Sequence, residues 1–151
     1  MPFVSGRGGT IDRLGMYAGL TLGTEDIRLG IYIATSNTNL YPAALVYDSG
    51  AITNVANGAT KHTTSPAPTL TAGTLYWFTI CTNAALTVNA IAAACMPLLG
   101  YDNTLNAIPC AGLSVAFTVG AAAGNALPDP FTAGGAVVVS NNPVIYCRFS
   151  A

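Results

Sequence analysis

Residues 74–82 read TLYWFTICT, a run whose apolar side chains occupy both faces of an extended chain: Leu75, Trp77 and Cys81 alternate against Tyr76, Phe78 and Ile80. A strand of that kind needs cover on each side, which places it at the centre of a sheet with material packed above and below. Residues 26–34 give the complementary signal. Ile27, Leu29, Ile31 and Ile33 fall on one face and Arg28, Gly30 and Tyr32 on the other, so one face reads as core.

The same extended character recurs at residues 10–17, 43–48, 60–64, 86–92, 113–119, 136–139 and 144–149. Sixteen glycines and nine prolines are spread along the whole chain and separate these runs, with no single linker among them. No window carries apolar residues at i, i+3, i+4 and i+7 behind a capping residue, and the Ala-rich pieces 90–94 and 121–123 allow a turn of helix at most. Residues 97–109 and 120–135, rich in Gly, Pro and Asn, read as long loops of the kind that carry binding residues. The expected fold is all-β: an antiparallel, jelly-roll-like β-sandwich of about eight strands, in one domain spanning residues 1–151.

Charge narrows the functional classes. Five basic and six acidic residues make up 7% of the chain, against about 25% in ordinary domains. Solvent-facing positions are therefore filled by Thr, Ser, Asn, Gly and Ala, and a net charge of −1 favours association. Arg7, Arg13, Arg28, Lys61 and Arg148 are too scattered in sequence for the basic stripe that a phosphate backbone requires, so nucleic acid is not an expected partner. The opening residues do not read as a secretory leader, and no stretch reaches the roughly 20 apolar residues of a spanning helix, which leads us to expect a soluble chain without a membrane partner. Cys81, Cys95, Cys110 and Cys147 are spaced too widely for a metal knuckle and are expected as small buried hydrophobes.

Catalytic chemistry finds little support. The one histidine, His62, sits in a Thr-rich run beside Lys61, and no GxSxG elbow or activated-cysteine context accompanies it. Among Asp12, Glu25, Asp26, Asp48, Asp102 and Asp129, only Glu25 and Asp26 are close in sequence, where they suit a solvated turn. Residues 101–104 offer a fragment of a calcium loop without the repeated acids. Residues 5–9 (SGRGG) lack a phosphate-binding lysine and lead into a strand, which fits a flexible turn or an inter-subunit contact. Tyr41, Tyr47 and Tyr101 lie near turns where rings could stack on sugars, although core or interface packing explains them as well. Neither a cofactor nor a metal is expected.

The chain resembles the β-sandwich domain that recurs in virion proteins of tailed bacteriophages, in head-decoration proteins and at fibre ends. The residues that carry the likeness are 2–13 (PFVSGRGGTIDR), Arg28-Leu29-Gly30-Ile31-Tyr32, Leu40-Tyr41-Pro42, residues 45–50 (LVYDSG), residues 69–77 (TLTAGTLYW) and Asp129-Pro130-Phe131. The likeness spans most of the chain and specifies the phage setting better than the role within it. The resemblance implies a non-enzymatic structural protein made in the host cytoplasm and carried on the outer capsid surface. Its implied partners are the major capsid protein and copies of itself, as a trimer. The alternative is a fibre-type domain that binds a host-surface glycan. The sandwich is expected to fill residues 1–151 and leave no room for a shaft, which favours a decoration or cement protein unless the chain is an excised domain. Residues 2–13 and the two long loops are then the expected contact regions, with Phe3, Arg7, Arg13, Tyr101, Asp102, Pro128 and Phe131 as candidate partner-contact residues.

Overall fold

The computed structural model describes residues 2–17, 26–36, 38–53, 60–63, 68–82, 90–92, 112–114, 126–131, 137–139 and 141–151. The strands are β1 (Pro2–Val4), β2 (Gly9–Tyr17), β3 (Ile27–Ala34), β4 (Pro42–Asp48), β5 (Thr60–Thr63), β6 (Thr69–Leu70) and β7 (Leu75–Thr82). They continue with β8 (Ala90–Ala92), β9 (Gly112–Ser114), β10 (Val137–Val139), β11 (Asn141–Pro143) and β12 (Ile145–Phe149). Among the described residues there is no helix.

Two antiparallel sheets carry the fold. The first runs β1-β7-β3-β4, and in the second β2 lies between β12 and β5 and also pairs with β6. The TLYWFTICT run is an interior strand of the first sheet: β7 pairs with β1 on one side and with β3 on the other. Two further antiparallel pairs, β8 with β11 and β9 with β10, stand as separate ladders. Residues 90–92 are therefore extended and not a turn of helix, because each pairs across to β11. Residues 121–123, 86–89 and 115–119 lie outside the described residues.

One core joins the two sheets. Ile27, Leu29 and Ile31 from β3 and Tyr76 and Phe78 from β7 meet Ile11, Leu14 and Met16 from β2, Leu70 from β6 and Ile145 from β12. Phe3 stacks on Phe78 with ring centroids 4.9 Å apart, which seals the β1 edge of this core.

The apolar positions of β2 break strict alternation, since Ile11 and Leu14 are three residues apart yet both are buried. A β-bulge resolves this. Arg148 pairs with Arg13 while the next residue, Phe149, pairs with Ile11, so Asp12 is the extra residue on β2. The bulge keeps Ile11, Leu14 and Met16 in one core.

The opposite face of β3 is also covered. Arg28, Gly30 and Tyr32 are buried alongside the isoleucine face, and Tyr32 pairs across to Trp77 on the same side. The cover is the segment 126–131, whose Leu127 forms a second apolar cluster with Tyr32 and Trp77, backed by Ala34, Leu45, Cys81 and Phe131.

Candidate functional site

Two regions gather the chemically distinctive side chains. The first is the segment 126–131 on the outer face of the first sheet. Asp48, at the end of β4, organises it: Oδ2 accepts from Arg28 at 2.7 Å and from the Leu127 backbone N–H at 3.0 Å, and Oδ1 accepts from the Gly50 N–H at 2.9 Å. The Gly50 bond closes an aspartate-capped turn in which Gly50 takes φ of 69°, a conformation that glycine adopts without strain. Further along, the Tyr32 hydroxyl donates to the Pro128 carbonyl at 2.8 Å, and burial raises that phenol's pKa above its ordinary value, with Asp48 and Asp129 adding to the effect.

The same segment closes the edge of the first sheet. The Leu45 N–H donates to Asp129 Oδ1 at 3.0 Å, and the Phe131 N–H donates to the Ala43 carbonyl at 2.8 Å. These satisfy backbone groups of β4 that would otherwise template another strand. Phe131 sits edge-on to Tyr32 at 5.1 Å and to Tyr41 at 5.9 Å, while the Trp77 indole N–H donates to the Leu40 carbonyl at 2.8 Å.

The second region is the corner at the bulged pairing of β2 with β12. Arg148 makes a fork-to-fork pair with Asp12, Nε to Oδ1 at 2.7 Å and NH2 to Oδ2 at 2.6 Å. The Arg148 guanidinium holds the Asp12 carboxyl below its ordinary value of 3.8, and Asp12 in turn raises Arg148. Arg7 lies over the Phe149 ring at 4.8 Å and donates to the Ser150 carbonyl at 3.1 Å. Arg13, directly opposite Arg148 in the ladder, has a buried Nε without a hydrogen-bond partner among the described residues.

The candidate contact residues thus divide. Pro128 and Phe131 come together on the covering segment, Arg7 lies on Phe149, Arg13 lies opposite Arg148 on the β2–β12 ladder, and Phe3 stands apart, stacked on Phe78. Tyr101 and Asp102 lie outside the described residues, as do Cys95, Cys110 and Glu25. Sequence reasoning missed Asp48 and Arg148, the two residues that organise these regions. A signal for Arg148 exists in the broken alternation of Ile11, Leu14 and Met16, which marks a bulge on whatever strand pairs there.

Asp12 and Asp48 are each committed to an arginine, and Asp129 holds backbone. Tyr47 packs against the main core, and His62 stands on β5 opposite Gly15. Cys147 is a half-buried thiol whose burial raises its pKa, the reverse of what a nucleophile needs. Among the described residues no group of three His, Cys, Asp or Glu side chains is placed to hold a metal ion. The chain matches no protein-family model, no curated protein and no solved structure.

Proposed function

We propose that this chain is a non-enzymatic virion protein of a tailed bacteriophage, a decoration or cement protein that binds the outer face of the major capsid protein lattice and braces the head. One observation carries the reading. The short motifs behind the phage resemblance, scattered over residues 28–32, 40–50, 69–77 and 129–131, fall on β3, β4, β6-β7 and the covering segment, where several bond to one another. Motifs that assemble into one structural unit weigh more than the same number of unconnected matches.

On this reading the domain is a single jelly-roll-like sandwich acting as a homotrimer. Each subunit touches more than one capsid protein, so modest contacts add up through multivalency. The near absence of charge suits interfaces built from apolar and hydrogen-bonded surface, whose strength depends little on salt.

Mass analysis of purified virions tests the proposal. A copy number that follows the capsid lattice, lost with the head fraction, is the expected result. A few copies that leave with the tail would replace it with the fibre-type reading, in which rings such as Tyr41 beside Phe131 meet a host glycan. Absence from the particle would overturn both.

A further inference from the structure

We infer that the outer edge of β12 is a pairing surface for β12 of a second copy of this chain, joined antiparallel across a two-fold axis. β12 ends the second sheet, with β2 on one side and no strand on the other among the described residues. The direction of its backbone groups follows from the bond just beyond it. The Ser150 N–H turns inward to the Thr10 carbonyl, and backbone groups alternate along a strand. Those of Tyr146 and Arg148 therefore face β2, and those of Ile145, Cys147 and Phe149 face away from it. The edges of the first sheet, by contrast, are blocked. On β1 the Ser5 N–H turns inward to the Thr74 carbonyl, which leaves Pro2 and Val4 facing out, and Pro2 has no N–H. On β4, Asp129 and Phe131 occupy the Leu45 N–H and the Ala43 carbonyl. β12 has no proline, and its one charge, Arg148, is held by Asp12. Nor is the strand sunk in the protein, since the Arg148 side chain is 58% exposed.

The sequence of β12 is complementary to itself. A two-fold axis at Cys147, the middle residue, pairs the whole strand with its reverse: Ile145 of one copy stands opposite Phe149 of the other, and Tyr146 opposite Arg148. Ile145, Cys147 and Phe149 pack on the main core, so the first pair carries the apolar interior across the contact. The second sets a guanidinium beside an aromatic ring on the outer face. Neighbouring registers fit worse. An axis at Arg148 sets two guanidiniums directly opposite each other. An axis at Tyr146 sets Phe149 opposite Pro143, which has no N–H to donate. With the axis at Cys147 the pairing supplies about six main-chain hydrogen bonds. The contact does not depend on the proposed function; on a lattice of trimers it would join one trimer to the next.

Sedimentation of the whole chain from micromolar to millimolar concentration, with a thiol reductant present, tests the inference together with amide exchange. The mass is expected to double as concentration rises. Exchange at Cys147 and Phe149 should slow in step, while Tyr146 and Arg148, already bonded to β2, hold their rates. Tyr146→Lys sets like charges opposite each other twice about the axis and is expected to weaken association about tenfold. Tyr146→Phe keeps the ring and is expected to leave it unchanged. Unfolding midpoints of both variants at low concentration separate loss of the contact from loss of the fold. The inference is overturned by a mass that never doubles, or by doubling that Tyr146→Lys does not weaken. It is equally overturned if the Cys147 and Phe149 amides exchange at one rate at every concentration. Absence of the chain from phage particles would remove the proposed function and leave this contact standing.

Discussion

Leu127 occupies the space that a side chain on Gly30 would need: a methyl group there would overlap the leucine Cδ1. The glycine in the middle of β3 is thus the socket into which the covering segment plugs, and a strand that glycine weakens tolerates it for this reason.

Gly30→Ala is accordingly expected to destabilise the protein by about 1–3 kcal/mol through overpacking, and Leu127→Ala by about 2–5 kcal/mol through the cavity it leaves. The double variant is expected to cost less than the sum, because the new methyl enters the vacated space. Urea midpoints of the four proteins measure the coupling; strict additivity would mean that the two residues do not share that space.

The Arg28–Asp48 pair is shielded, its side chains only 9% and 19% exposed. Asp48→Ala leaves a guanidinium buried without this carboxylate and is expected to cost about 3–5 kcal/mol. Adding Arg28→Met should restore part of the loss. A single-variant cost below about 1 kcal/mol would reduce the pair to a surface contact.

Asp129→Ala removes the acceptor for the Leu45 N–H while leaving β4 otherwise intact. Amide exchange at Leu45 is expected to accelerate more than at Tyr47, and light scattering at high concentration to rise as the edge of the first sheet opens. Unchanged exchange at Leu45 would show that the segment does not guard this edge.

Alkaline pH probes Tyr32. Its folded pKa is raised above 10.0, so the stabilisation it confers is complete below pH 10 and is lost as pH climbs from there toward the folded value. Tyr32→Phe is expected to be less stable than wild type by about 1 kcal/mol at neutral pH through loss of the bond to Pro128. The gap should close above pH 10, as followed by chemical unfolding across that range.

Acid probes Asp12 in the opposite sense. Its folded pKa is depressed, mainly by the bond from Arg148, so the pair stabilises the fold above pH 3.8 and releases it as pH falls through the lower folded value. Carbon-13 titration of the Asp12 carboxyl should move upward in Arg148→Gln, and wild type and Asp12→Asn should converge in stability below pH 3.8. A midpoint indifferent to Arg148→Gln would deny the coupling.

What could be read from the chain alone was whatever depends on neighbours in sequence. β3 announces itself by alternation, β7 by an apolar run on both faces, and both, like β4, by the glycines and prolines around them. β1 and β6 hold three and two residues, too few for any period to register, and exist because the longer β7 and β2 offer them an edge. The cover over Tyr32 was hidden for a different reason. It joins residues 96 positions apart, and nothing about LPDPF distinguishes a segment that seals a sheet from an ordinary loop. The corner was hidden likewise, since Asp12 and Arg148 are 136 positions apart and only the bulged register brings them together.

The covering segment also sets an order of events during synthesis. Every strand of the first sheet has been made once Thr82 leaves the ribosome, yet Tyr32 and Trp77 await residue 127, and β2 awaits the partner that ends at Phe149. A growing chain therefore presents a pleated apolar surface for some forty-five residues of further elongation, at about 5–20 residues per second. That interval of several seconds exposes the nascent sheet to chaperones and to its own siblings on the same messenger.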